Sequence, residues 1–476
     1  MEQFLDSVVG ILWGPTLLVG LLGTGLYFSV ITRFWQLRHF FDSFRFCFLP
    51  DKDKKGELLP ADKSRVTPYQ AACVAIAGSI GSGNIGGVAS AIALGGPGVL
   101  FWMWMTALVG MMTKMAEVTL AVYYRKQDPD GKKTGGPLFY IEKGLGRRFK
   151  FWGIFSVLFT VGIFMQLILA PEAYTVGESL HEMTGFRVIY LSAFFCLMCA
   201  LVIWGGLKRV IGFASFMMPF MSVLYIVFGA YIIVINAVHI PAAVALIVKS
   251  AFTPVAAVGG FAGASFMLAA RTGIARGLFS NEAGWGTSPM VHATADNRHP
   301  VEQGMWGVME VFVDTIVVCT VTGLVIVLTG EWSSGISGST LTINAFAHGL
   351  GKKFAAYFIA ISLFLFSWTT VTGWYSYFHS ILEYVFKNNM PVRKAALRIL
   401  RITTPFFGLI MAYMIDVLNT NVSYAWLIVD ISSSVPTYVN LIVLLLLSGT
   451  FVAILKDYEG AGKLFGLGEY SEVKVD

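Results

Sequence analysis

The chain is poor in charge: 34 Lys and Arg and 28 Asp and Glu among 476 residues, or 13%, about half the ~25% of soluble domains. Hydrophobic residues make up 56%, aromatics 14%, and mean hydropathy is +0.70. A soluble protein could not hide so much apolar surface, and the low polarity also excludes a disordered chain. The net charge of +6 lies in short clusters between apolar runs, which argues against a nucleic-acid partner. Cysteine is scarce as well. The five (Cys47, Cys73, Cys196, Cys199, Cys319) are an odd number, mostly in apolar segments, and do not read as a disulfide framework. Cys196 and Cys199 form a CxxC, but the surrounding AFFCLMCALVIW is apolar enough to face lipid. No HExxH, no Gly-x-Ser-x-Gly and no His/Asp cluster suggests an enzyme. Glu2 and Asp6 stand where a signal peptide would be basic. An all-α polytopic membrane protein is expected.

A membrane helix needs ~20 apolar residues. That window predicts eleven transmembrane helices, at 8–31, 70–93, 98–122, 151–176, 186–206, 213–239, 254–285, 305–330, 354–385, 400–417 and 422–455. Lys and Arg in alternate loops then set the orientation. Loops 32–69, 123–150, 207–212, 286–304, 386–399 and the tail 456–476 carry 26; the other set, residues 1–7 included, carries 3. The N-terminus is therefore expected outside and the C-terminus in the cytoplasm of a cell whose inner membrane holds the chain.

Eleven divides as one extra N-terminal helix (1–31), then a basic cytoplasmic loop (32–69) and two sets of five, 70–239 and 254–455, before the tail 456–476. Five spans per set make the halves face opposite ways, the inverted-repeat design of secondary transporters, in which broken first helices point to the binding site. Span 70–93 holds Gly78-Ser79-Ile80-Gly81-Ser82-Gly83-Asn84-Ile85-Gly86-Gly87, and span 254–285 holds Gly259-Gly260-Phe261-Ala262-Gly263 and Gly273.

Residues 81–86 match G-x-G-x-x-G, but no strand precedes them and the nearest downstream acid is Glu117, so a dinucleotide site is rejected. No Lys-Ser/Thr follows, which excludes a P-loop. Close helix packing is the plain alternative, since Gly83/Gly87 and Gly259/Gly263 are GxxxG pairs. Against it, glycines 81, 83, 86 and 87 surround the helix, while Ser82 and Asn84 put polar groups in mid-membrane. Unwound backbone there exposes N–H groups for a carboxylate and C=O groups for a cation, needs that an amino acid zwitterion and Na⁺ together fit.

Few other polar groups stand in the apolar spans. Gln166 reads either as interhelical glue or as a ligand; Thr369 and Thr370 precede Trp374, which alone would be a packing aromatic. Glu310 and Asp314 share a helix face near an expected cytoplasmic end and read as a gate or a solvated helix end ahead of a proton relay. Lys114/Glu117 read as a structural i,i+3 pair. Arg276, Asn281 and Glu282, placed towards the cytoplasmic end of 254–285, are gate candidates.

Several motifs together resemble the alanine-or-glycine:cation symporter family. They are Gly83-Asn84-Ile85-Gly86-Gly87-Val88-Ala89, Gly95-Gly96-Pro97-Gly98 with Phe101-Trp102-Met103-Trp104, Gly136-Pro137-Leu138-Phe139-Tyr140-Ile141, Gly205-Gly206-Leu207-Lys208-Arg209 and Arg276-Gly277-Leu278-Phe279-Ser280-Asn281-Glu282-Ala283-Gly284. The resemblance covers about residues 65–455; Trp285 departs from it, where a smaller aliphatic residue is expected. It implies a leucine-transporter-type fold with one extra helix. It also implies that backbone around Ser82, Gly83 and Asn84 meets a substrate carboxylate, and that carbonyls of the broken helices, assisted by Asn84 and Gln166, meet the ammonium. Phe266, Ala270, Thr370 and Trp374 would enclose the side chain. Carbonyls of Ala77, Ile80 and Phe366 with hydroxyls of Thr369 and Thr370 would hold Na⁺. The expected protein is thus not an enzyme but a Na⁺-coupled symporter of a small neutral amino acid, alanine or glycine, in a lipid bilayer and without an organic cofactor. H⁺ coupling, glutamine as substrate and an ion channel are the alternatives, and the oligomeric state stays open.

Overall fold

The computed structural model describes residues 8–49, 66–127, 131–146, 149–168, 170–256, 258–420 and 422–460. Residues 1–7, the middle of the basic loop 32–69 and the tail beyond 460 lie outside the described residues. The chain is almost wholly helical. In order run α1 (Val8–Ile31), α2 (Phe40–Phe48), α3 (Pro68–Ser79), α4 (Gly83–Gly95), α5 (Gly98–Tyr123), α6 (in two parts, Trp152–Ile168 and Glu172–Thr184), α7 (Val188–Ile203), α8 (Leu207–Ile235) and α9 (Ile240–Phe252). Then come α10 (Phe266–Asn281), α11 (Pro289–His292), α12 (Pro300–Leu328), α13 (Gly338–Leu350), α14 (Lys352–Val385), α15 (Met390–Asp416), α16 (Val422–Leu446) and α17 (Ser448–Gly460). Among the described residues, seven helices are long and apolar enough to cross a membrane, and counting two bent pairs as single spans gives nine. Those pairs are α3 with α4, bent by 51°, and the end of α16 with α17, bent by 60°.

Local chemistry explains these boundaries. Thr67 and Gln70 form a reciprocal capping box, with Pro68 at the first position of α3. Gly96, at φ +75°, and Pro97 make the tight turn into α5. His299 caps α12 ahead of Pro300. Within α12, Phe312–Cys319 is wound as a π-helix, a wider turn that helices adopt mostly at functional places.

Two expectations fail here. Residues 254–256 and 258–265 form no helix: Val255 bridges Ala264 and Val258 bridges Phe261, antiparallel. Gly259 and Gly263 take φ of +58° and +88°, which an α-helix forbids, so they are turn glycines and not a GxxxG face. The helix starts only where the Ser265 hydroxyl accepts the Leu268 N–H. The stretches between the expected spans also hold helices, α9 and α13. α9 presses on α5 so closely that a methyl on Gly98 would lie 2.4 Å from the Ser250 backbone.

On the face carrying the lysine- and arginine-rich loops, a short hairpin pairs Lys126–Gln127 with Lys133–Thr134. Lys132 bonds Glu383 at the end of α14, Lys133 bonds Asp296, and Lys387 meets Glu142 at 2.5 Å. Arg125 donates to the Ala295 carbonyl at 2.7 Å and to Asn297 at 2.8 Å. Burial lowers its pKa to about 10, while the Asp296 carboxylate works in the opposite direction.

Gly98→Ala is expected to destabilise the protein by about 1–3 kcal/mol, the usual effect of overpacking. Gly212→Ala, where nothing lies within 4 Å of the added methyl, leaves stability unchanged or slightly raised. Thermal unfolding of the two purified variants checks the pair.

Candidate functional site

The break between α3 and α4 is held by one side chain. A continued helix would have the N–H groups of Gly81 and Asn84 donate to the carbonyls of Ala77 and Ile80. Instead Ile80 is extended (ψ 103°), the Gly81 N–H donates to Asn84 Oδ1 at 2.9 Å, and the Asn84 N–H turns back to the Gly81 carbonyl at 3.3 Å. The other end of the Asn84 amide donates to Asp314 Oδ1 at 2.6 Å and Ser280 Oγ at 2.9 Å. Asn84 is therefore fully committed beneath the break and does not line the cavity described below, unlike Ser82 and Gly83. Asp314, buried in the π-wound turn, also accepts from Ser280 at 2.8 Å and Thr315 at 2.7 Å.

Losing those N–H donors leaves the carbonyls of Ala77 and Ile80 facing α14. There the Thr370 hydroxyl stands 3.2 Å from the first, 3.1 Å from the second and 3.0 Å from the Phe366 carbonyl. Thr369 Oγ1 lies 2.9 Å from the Phe366 carbonyl. A hydroxyl has one proton for these three acceptors. The result is a surplus of hard oxygen dipoles with no carboxylate among them, a donor set fit for a weakly held monovalent cation. All five residues expected around an ion are brought together here. The closeness requires glycine at 81, because a methyl there would sit 2.9 Å from Thr370 Oγ1.

A second break follows α10, and it is not where the Gly259–Gly263 pattern places it. Glu282 takes φ +52°, Gly284 +95° and Gly286 +75°, so the chain unwinds over 282–287 before α11. Its backbone is held by buried side chains. Asn281 Oδ1 accepts the Ala283 N–H at 3.0 Å, Glu117 accepts that of Gly284, and Asn440 Nδ2 donates to the Gly284 carbonyl at 2.9 Å. Lys114 Nζ donates to the Glu282 carbonyl at 3.1 Å and to Ser288 Oγ at 3.0 Å.

A cavity lies between the two breaks. The first contributes Gly78, Ser79, Gly81, Ser82 and Gly83; the second contributes Phe279, Ser280, Glu282 and Trp285. Gln166 and Glu172 of α6, and Thr370, Trp374 and Phe378 of α14, close it from the sides. Of the expected substrate residues, Ser82, Gly83, Gln166, Thr370 and Trp374 share this lining. Phe266 and Ala270 do not: they stand three to four helical turns before the break, which shifts the cavity wall to Phe279. Phe266 is 44% exposed, and Ala270 packs in an apolar cluster with Trp285. Glu282, Trp285 and Ser280 are what sequence reasoning misses, because it sets them at a cytoplasmic end. The available signal is Glu282-Ala283-Gly284-Trp285-Gly286, an acid and two glycines in an apolar run, much like the first break.

Glu310 and Asp314 are likewise not at a solvated end, since both are wholly buried. Glu310 pairs with Lys114 at 3.4 Å and His292 at 3.0 Å, and accepts from Ser288 at 3.2 Å and Ser79 at 3.1 Å. Ser79 ends the helix before the first break and Ser288 follows the second. One buried ion pair thus ties both breaks to α5 and α12.

Two broken helices facing across a cavity with a largely apolar wall and a few polar groups, inside a bundle of apolar spans, are the layout of a membrane transporter. The profile of the sodium:alanine symporter family matches residues 1–465, and the chain belongs to that family. An uncharacterized transporter of Haemophilus influenzae is 37% identical over 464 residues, covering 96% of each protein. The sodium/alanine symporter AgcS of Methanococcus maripaludis is 33% identical, covering 96% of this chain and 97% of its own. Among solved structures, MhsT in complex with L-phenylalanine superposes with a TM-score of 0.58 at 16% identity, over 81% of this chain and 89% of that one. The fold is that of the leucine-transporter type.

Two expectations follow. Gly81→Ala pushes a methyl against Thr370 Oγ1 and should raise the Na⁺ concentration for half-maximal binding severalfold, as should Thr370→Val; titration of purified protein with Na⁺ reads both. Lys114→Met leaves the buried Glu310 carboxylate with only His292 and two hydroxyls and should cost about 3–5 kcal/mol of stability, part of it recovered in Lys114→Met/Glu310→Gln, as unfolding of the two variants will show.

Proposed function

We propose that the chain is a Na⁺-coupled importer of a small neutral amino acid, alanine or glycine, working by alternating access. The observation that carries the reading is the oxygen cage of Ala77, Ile80, Phe366, Thr369 and Thr370 directly behind the cavity wall. One break serves both ligands: its freed carbonyls face the ion, while Ser82 and Gly83 line the amino acid's side. In this reading the substrate carboxylate meets the Ser82–Gly83 backbone. The ammonium meets carbonyls of the second break beside Glu282, and Trp374 and Phe279 bound the side chain. Family membership supports the pairing of Na⁺ with an amino acid. In this reading α7 and α10 join the nine apolar spans to make eleven, one extra helix and a five-plus-five inverted repeat. Loop charge then puts the N-terminus outside and the C-terminus in the cytoplasm.

Purified protein in liposomes should accumulate labelled alanine when Na⁺ is outside and K⁺ inside. Accumulation should vanish when the Na⁺ gradient is dissipated. Equal uptake with and without Na⁺ would sink the proposal. Gln166→Ala is expected to weaken alanine binding tenfold or more, the worth of a hydrogen bond to a charged group at roughly 1.5–3 kcal/mol. Loss of melting temperature with affinity kept would make Gln166 interhelical glue. Trp374→Ala should admit leucine or methionine in a graded way while alanine binds more weakly, and competition against labelled alanine measures the ranking.

A further inference from the structure

The first helix is joined to the cavity by a chain of aromatic contacts. Trp285 lines the cavity on one side and is otherwise buried, 3% exposed. Its ring meets Phe279, another wall residue, edge-on with centroids 5.5 Å apart, and Trp13 of the first helix edge-on at 6.5 Å. Trp13 is fixed in turn, its indole N–H donating to the Asp430 carbonyl of α16 at 2.6 Å. Leu17, Leu18 and Leu21, on later turns of the same helix, join Trp13 and Trp285 in one apolar cluster. Leu21 also packs so near the second break that a methyl on Gly284 would lie 2.7 Å from its Cδ2.

An indole on an unwound segment has no helix of its own to hold its rotamer. Between residues 282 and 287 the backbone takes three left-handed conformations, so neighbouring side chains must fix the direction of Trp285. Phe279 and the first helix supply the aromatic contacts among those neighbours, beside Ala270, Ile274, Leu278 and Leu441 of the same apolar cluster. A wall held in this way excludes larger substrates by clash, and an unsupported wall does so poorly, because a ring free to swing aside makes room.

We infer that Trp285 is a specificity-determining residue which limits the size of the side chain the cavity accepts, and that Trp13 of the first helix is the positioning residue that holds it. This rests on the amino-acid transport reading above. The first helix is thereby part of substrate selection and not only a membrane anchor.

The test is inhibition of labelled alanine uptake by unlabelled alanine, leucine and methionine in proteoliposomes, for wild type and for Trp285→Leu, Trp285→Phe and Trp13→Ala. Trp285→Leu should lower the leucine-to-alanine ratio of half-inhibitory concentrations at least tenfold, within the roughly 10–200-fold range that one methylene-sized contact commands. Trp285→Phe should shift the ratio less, in the same direction. Trp13→Ala should shift it several-fold with Trp285 still present, a change that simple loss of stability does not produce. If Trp285→Leu fails to reach the membrane, Trp285→Phe decides. An unchanged ratio in every Trp285 variant that transports alanine overturns the assignment of Trp285, and a shift there with none in Trp13→Ala removes the first helix from it. If wild type takes up no neutral amino acid, the transport reading itself has failed, an outcome distinct from these.

Discussion

A helix that stops inside a bilayer strands peptide groups where no water can reach them, each worth several kcal/mol if left alone. This constraint organises the centre of the molecule. At the first break the Asn84 amide takes over a helical bond and passes the strain to Asp314 and Ser280. At the second, Lys114, Glu117, Asn281 and Asn440 reach in from three directions to hold the peptides between Asn281 and Ser288. Asn84, Asp314, Lys114, Glu117, Asn281 and Asn440 are thus the scaffolding of two unwound segments, while Ser82, Gln166 and Thr370 face the cavity.

The same constraint explains why Lys114 and Glu310 tolerate complete burial. A buried ion pair seldom repays its desolvation by attraction alone. Here each partner has further work: the ammonium binds a carbonyl and a hydroxyl of the second break, and the carboxylate takes Ser79, Ser288 and His292. The pair connects the two breaks, so their spacing is set by a few charge-assisted hydrogen bonds and not by apolar contact alone, which in a membrane supplies no strong drive for association.

Much of this is legible in the amino-acid sequence. Apolar run lengths locate α1, α5, α8, α12 and α14 within a few residues, because a membrane span is a length requirement. The glycine-and-asparagine run at 78–87 announces the first break. The second escapes such a reading because glycines at 259, 260 and 263 look the same on paper as glycines at 284 and 286. Only contacts distant in sequence, such as Glu117 with Gly284, decide which set unwinds within the protein and which makes a turn ahead of a helix. For the same reason Glu282 and Trp285 resemble residues of a helix end, and Asn84 resembles a ligand although its hydrogen bonds are spent internally.

The oxygen cage has a further property. Its ligands sit on two separate bodies: Ala77 and Ile80 at the end of α3, and Phe366, Thr369 and Thr370 on α14. α3 presents two of the five oxygens and α14 the other three, so neither body alone supplies the set. An ion occupying the cage would act as a removable rivet between them, and its size would dictate how far apart they rest. Discrimination among Li⁺, Na⁺ and K⁺ would then need no rigid ring of matched diameter. It would follow from whether the two helices, drawn to the distance each ion prefers, still pack against one another.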